Sequence, residues 1–170
     1  MRYYVRRYRA RLKVLKQASS YKCRARLKNT YKQEREVKNM NKIDTLIAYL
    51  FAIQAFAKDI HYSASGEAFY SKHLLADEIY KGIDEQIDAL IETCILPFIN
   101  PSPIEHYWFE ATKILNNDPY EATFESLLGL LTQAISFINS TEFSKTKSSL
   151  IDDIGKDLQR KAGLITRQVG

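Results

Sequence analysis

Apolar side chains recur at steps of three and four from Asn41 onward, and this periodicity restricts the fold more tightly than any other feature of the chain. The first series is Ile43, Leu46, Ile47, Leu50, Ile53, Ala57 and Ile60, which forms one stripe on a helix turning about 100° per residue. That helix ends near His61, where Ser63-Ala64-Ser65-Gly66 breaks the pattern. A second helix is expected from about Glu67 to Ile95, with Phe69, Leu74, Ile79, Ile83, Ile87, Leu90 and Ile91 as its apolar positions. Pro97, Pro101 and Pro103 then mark a connection, followed by a short helix from Ile104 to Leu115 in which Tyr107, Trp108 and Ile114 are packing residues. Asn116-Asn117-Asp118-Pro119 stops it, and Pro119 is expected in the first turn of a third long helix. That helix runs to about Asn139 through Phe124, Leu127, Leu128, Leu131, Ile135 and Ile138; after Ser140 and Thr141 a fourth extends from about Phe143 to Thr166. With 6 Gly and 4 Pro in 170 residues, a turn-rich β architecture is disfavoured. The expected fold is all-α, a four-helix bundle with a short crossover helix between helices two and three.

The length suits one domain with a fair-sized core. The most apolar run, Thr45 to Ala57, is too short for a membrane span, which needs about 20 residues. No continuous apolar segment with a cleavage site follows the basic N-terminus, so the expectation is a cytoplasmic protein without a secretory signal. Cys23 and Cys94 make neither a zinc motif nor a disulfide framework, and Cys94 reads as a small buried apolar residue. The net charge of +5 conceals an asymmetry. Residues 1–42 hold 15 of the 25 Lys and Arg but, of the acids, only Glu34 and Glu36, a net of +13, whereas residues 43–170 carry a net of −8. The chain divides into a basic arm, 1–40, disordered or loosely helical, and an acidic body, 41–170.

The candidate chemistry sits on helix two. His73, Asp77, Asp88 and Glu92 fall at about 0°, 40°, 60° and 100° around the helix, one stripe. Lengthwise they form two groups one turn each, and Asp77 lies roughly 16 Å from Asp88 at 1.5 Å per residue. A bond from a metal to imidazole or carboxylate is about 2 Å long, so one helix cannot bring both groups to one ion. Two copies crossing antiparallel about a two-fold axis can, and symmetry then makes two sites per dimer. His61, at the end of helix one, joins the His73 side. Two imidazoles and three carboxylates suit Fe(II), although not exclusively.

The spacing of His61, eleven residues, His73, three residues, Asp77, ten residues, Asp88, three residues and Glu92 resembles the ferroxidase signature of the Dps-type mini-ferritins (DNA-binding proteins from starved cells), in the ferritin-like superfamily. Tyr62 stands where family members usually carry Trp. The resemblance implies that His61, His73 and Asp77 of one subunit and Asp88 and Glu92 of its two-fold mate bind iron as catalytic ligands. It further implies that hydrogen peroxide or oxygen oxidises the Fe(II), and that ferric iron is stored inside a homo-oligomeric shell, a dodecamer. Ordinary ferritins place Glu-x-x-His motifs inside one bundle, and no Glu here has His three residues on, which disfavours that di-metal alternative.

Two further readings remain open. Arg2, Arg6, Arg7, Arg9, Arg11, Lys13 and Lys16, with interleaved tyrosines, suit DNA backbones without sequence preference, as basic tails do in Dps-like proteins; the protein would then associate with the nucleoid. Alternatively, translation begins at Met40 and the arm is foreign to the native product. The competing function is a non-catalytic structural or DNA-packaging protein with a vestigial metal site. His106 and Trp108 read as packing or surface residues, and no nucleophile–base pair or Gly-rich phosphate loop supports hydrolytic or nucleotide chemistry.

Overall fold

The computed structural model describes residues 42–66, 68–97, 101–115 and 121–169, and among them every regular element is helical. The basic arm, with its candidate DNA contacts and Cys23, lies outside the described residues. Helix α1 covers 42–63, and α2 covers Phe69–Leu90 and continues into a wider π turn, Ile91–Ile95. The crossover helix α3 is Ile104–Leu115, α4 is Phe124–Ser140 and α5 is Lys145–Val169. None of the described helices is long and apolar enough to cross a membrane.

Cross-helix contacts fix the direction of each helix. Gln54 reaches Asp84 while His61 reaches His73, so α1 and α2 run antiparallel. Lys42 meets the Glu142 carbonyl while Tyr49 packs on Phe137, so α1 also opposes α4. Arg160 bonds Glu78, Gln86 bonds Asp157 and Lys147 bonds the Cys94 carbonyl, so α2 opposes α5. Helices α2 and α4 therefore run parallel, and a short hairpin cannot join them. The chain must cross the bundle between them, and α3 rides on that crossing. One long crossover is the connectivity of ferritin-like bundles.

The core follows the periodicity closely in α1, where all seven stripe residues are buried, and Cys94 is buried and free as expected. Gly66 ends the first hairpin at φ +79°, where a side chain would be strained, and its carbonyl accepts from Phe69 N–H at 3.0 Å. Two expectations are corrected. Phe69 and Leu74 are each 46% exposed, because they lie on the outer face of α2 rather than toward the core. Helix α4 begins at Phe124, later than expected, with the Thr123 hydroxyl accepting from Ser126 N–H at 3.1 Å; Pro119 lies outside the described residues. Trp108 is 40% exposed and covers Phe51 from outside, whereas Tyr107 beneath it is buried and bonds Asp44 at 3.2 Å.

The α2–α5 seam holds charges that apolar patterning cannot foresee. Lys147 and Lys161 are both buried. Lys147 donates to the Cys94 carbonyl at 2.6 Å and so caps the π turn. Lys161 bonds the Asp157 carboxylate beside Gly82, where an added Cβ would stand 2.9 Å from the lysine nitrogen. Burial alone would raise the Asp157 carboxyl, but hydrogen bonds from Lys161, Arg160 and Gln86 outweigh it and hold it below 3.8. Asp157→Asn strands the Lys161 ammonium and should cost about 3 kcal/mol in urea unfolding at pH 7, the low end for a broken buried pair because Asp157 is partly exposed. Lys161→Met/Asp157→Asn should be more stable than Asp157→Asn. A carboxyl depressed by folding stabilises above its unfolded value, so the wild-type advantage over Asp157→Asn should vanish as the pH falls below 3.8.

Candidate metal centre

The α1–α2 hairpin brings His61 and His73 face to face. Their rings stack at 3.8 Å between centroids with 26° between planes. Each ring is anchored by the backbone of the other: His61 Nδ1 lies 3.2 Å from the His73 carbonyl, and His73 Nδ1 lies 3.0 Å from the His61 carbonyl. A carbonyl oxygen can only accept, so both Nδ1 atoms carry the proton and donate. The lone pair of each neutral ring is then on Nε2. This is how metal-binding imidazoles are commonly held, with one nitrogen fixed to a carbonyl and the other turned to the ion. The reciprocity couples ring orientation to the hairpin itself: neither ring can turn without releasing the other helix's end.

Aromatic rings frame the pair. Tyr62 meets the His61 ring edge-on at 5.2 Å and is 72% exposed, Tyr80 lies edge-on at 6.0 Å, and Phe69 flanks His73 at 5.3 Å. Tyr62 therefore stays beside the histidine although most of its surface is open.

Asp77, one turn beyond His73, has Oδ1 4.0 Å from His61 Nδ1, while Oδ2 accepts from Lys81 Nζ at 2.7 Å. That hydrogen bond from Lys81 holds the Asp77 carboxyl below its ordinary value, aided by the positive charge of Lys81 and, when they are protonated, by the nearby histidines. Among the described residues, no three or more His, Cys, Asp or Glu side chains of one chain are grouped to hold a metal ion. The structure thus brings His61, His73 and Asp77 into one neighbourhood, but Asp77 is turned to an ammonium. Asp88 and Glu92 lie exposed further along α2, Glu92 within the π turn. Sequence reasoning joined His61 to the His73 side but missed Lys81, although a Lys four residues after an Asp on a helix announces an ion pair.

No protein-family model matches the sequence, and neither does any curated protein. Among solved structures, the fold is similar to a Dps protein from Vibrio cholerae O1, described as a member of a broad superfamily of ferritin-like diiron-carboxylate proteins. The TM-score is 0.55 at 16% identity, over 81% of this chain and 92% of that one. The bundle is ferritin-like. At this identity the likeness speaks for the fold, including the crossover derived above from helix directions, and the ligand set must be argued from this chain's own residues.

The carbonyl contacts make a direct prediction. Two-bond proton–nitrogen spectra at pH 8 should report His61 and His73 as the Nδ1–H tautomer, against the Nε2–H form preferred by free imidazoles. An Nε2–H tautomer at either ring would contradict the arrangement.

Proposed function

We propose that this chain is a mini-ferritin subunit that oxidises Fe(II) between two copies related by a two-fold axis. His61, His73 and Asp77 of one subunit face Asp88 and Glu92 of the partner subunit. The observation that carries this reading is the reciprocal anchoring of the two histidines, which leaves Nε2 of each as the ligating nitrogen. The exposure of Asp88 and Glu92 supports it: two acids one turn apart on an open helix face are available to a second copy. Leu74, at 46% exposed, and Tyr70, at 71%, lie on that same face and supply apolar surface for burial.

Iron is the substrate. Carboxylate oxygens are hard donors that stabilise Fe(III) more than Fe(II), so a site with three of them and two imidazoles favours oxidation by hydrogen peroxide or oxygen. Fixed rings keep the nitrogens in place when the iron changes charge. The surrounding Tyr62, Tyr80 and Phe69 limit water at the histidine end. The ferric product is stored in a hollow oligomer, a dodecamer built of such dimers, whose acidic bodies (net −8 over residues 43–170) attract cations.

A second activity rests on the arm. Its net charge of +13 over residues 1–42 supports sequence-independent DNA binding driven by counterion release. Gel-shift assays with residues 1–40 present and removed should show binding that requires the arm and falls steeply with salt.

Peroxide-driven Fe(II) oxidation, followed by ferric absorbance, is the direct test. Asp88→Ala should lower the initial rate at least 10-fold while leaving the folded helix content intact. A wild-type rate equal to that of buffer would instead support a structural protein with a vestigial site.

A further inference from the structure

The pairing proposed above fixes the position of the two-fold axis. His73 opposite Glu92, and Asp77 opposite Asp88, are two pairs equally spaced about one point, the peptide between Gly82 and Ile83. Two copies of α2 therefore cross there, whatever their crossing angle. The stripe members nearest that point are Lys81 and Asp84, at about 80° and 20° from His73 around the helix, inside the arc spanned by the ligands. Both are exposed. Lys81 of one copy thus lies beside Asp84 of the partner subunit, and symmetry makes the contact twice.

The charges on this face make that contact decisive. Asp77, Asp84, Asp88 and Glu92 are acidic, and Lys81 is the basic residue among them. Antiparallel juxtaposition sets acid against acid at Asp77 and Asp88, a repulsion that an iron ion would relieve. At the axis it sets a cation against an anion. The Asp84 carboxylate is already oriented, since its Oδ1 accepts from Gln54 Nε2 at 2.7 Å. Within one chain, Lys81 instead takes Asp77, at 2.7 Å. It is 62% exposed on a flexible four-carbon stem, and such an exposed i,i+4 pair is weak and readily exchanged.

We infer that Lys81 is a positioning residue that changes partners on assembly: in the single chain it occupies Asp77, and in the dimer it turns to Asp84 of the partner subunit and leaves Asp77 to the metal. Assembly then arms the site as well as completing it, and a lone subunit is protected from capturing iron with half a ligand set. This rests on the inter-subunit site proposed above.

The test uses Co(II), a divalent ion stable to air, as the probe of the full-length assembled protein. Binding is read by calorimetry and visible absorption, with oligomeric state checked by light scattering. Asp84→Asn keeps the shape of the carboxylate but removes the charge that draws Lys81 away. It should weaken Co(II) binding about 5-fold, the upper range for a single exposed ion pair, although Asp84 is not a ligand. Lys81→Met in the Asp84→Asn background removes the competitor and should restore the affinity. If wild type assembles and binds Co(II) but Asp84→Asn changes nothing, or Lys81→Met fails to rescue it, the partner exchange is wrong and the shared site stands. If wild type is monomeric, or assembled but without affinity for Co(II), the shared site falls and the exchange with it.

Discussion

Two imidazoles, each hydrogen-bonded to the other's backbone, hold together the point on which the proposed chemistry depends. His61 lies in the last turn of α1 and His73 in the first turns of α2, so their reciprocal bonds close the hairpin and aim the rings at once. Most ligands in a bundle are positioned by the helix that bears them. Here the position of each ring is shared between helices, and the stack at 3.8 Å leaves little freedom to either. The hairpin in turn is held against the core by the buried stripe of α1 and by the Gln54–Asp84 bond midway along it.

A second constraint is length. A helix that rises 1.5 Å per residue separates Asp77 from Asp88 by roughly 16 Å, and no bending of side chains closes that gap. The parallel course of α2 and α4, with α3 on the crossing between them, leaves the outer face of α2 uncovered by the described residues. Tyr70, Leu74, Asp77, Lys81, Asp88 and Glu92 share that face, a mixture of apolar and charged groups with little to offer a monomer. It is the face on which the proposed site would meet a second copy.

The fold was legible where the apolar pattern served one purpose. All seven stripe residues of α1 are buried, and α3 has the bounds that its flanking prolines and asparagines announce. It failed where a side chain answers to something periodicity cannot register. Phe69 and Leu74 look like core residues by type, but they face outward, and hydropathy cannot distinguish a chain's own core from a surface awaiting a partner. The wider turn at Ile91–Ile95 has no sequence mark, and it alters the course of the helix where Glu92 stands. Lys147 and Lys161 are buried against the expectation for lysine; the signal available was Gly82, which makes room for one ammonium, and Asp157 one turn before it. The nearness of His61, His73 and Asp77 follows from their spacing, whereas the Lys81 ammonium that occupies Asp77 has no place in that pattern.

The central claim is that each iron site draws on two subunits, and mixing two inactive variants tests it most directly. His73→Ala and Asp88→Ala, dissociated together and reassembled, form mixed dimers in which one site carries both lesions and the other carries none. Random mixing makes half the dimers mixed, so by symmetry about a quarter of the wild-type Fe(II) oxidation sites should return. Recovery near that level, from two proteins silent alone, is the predicted result. A mixture as silent as its parents, reassembled to wild-type size, would contradict a site shared across the two-fold axis.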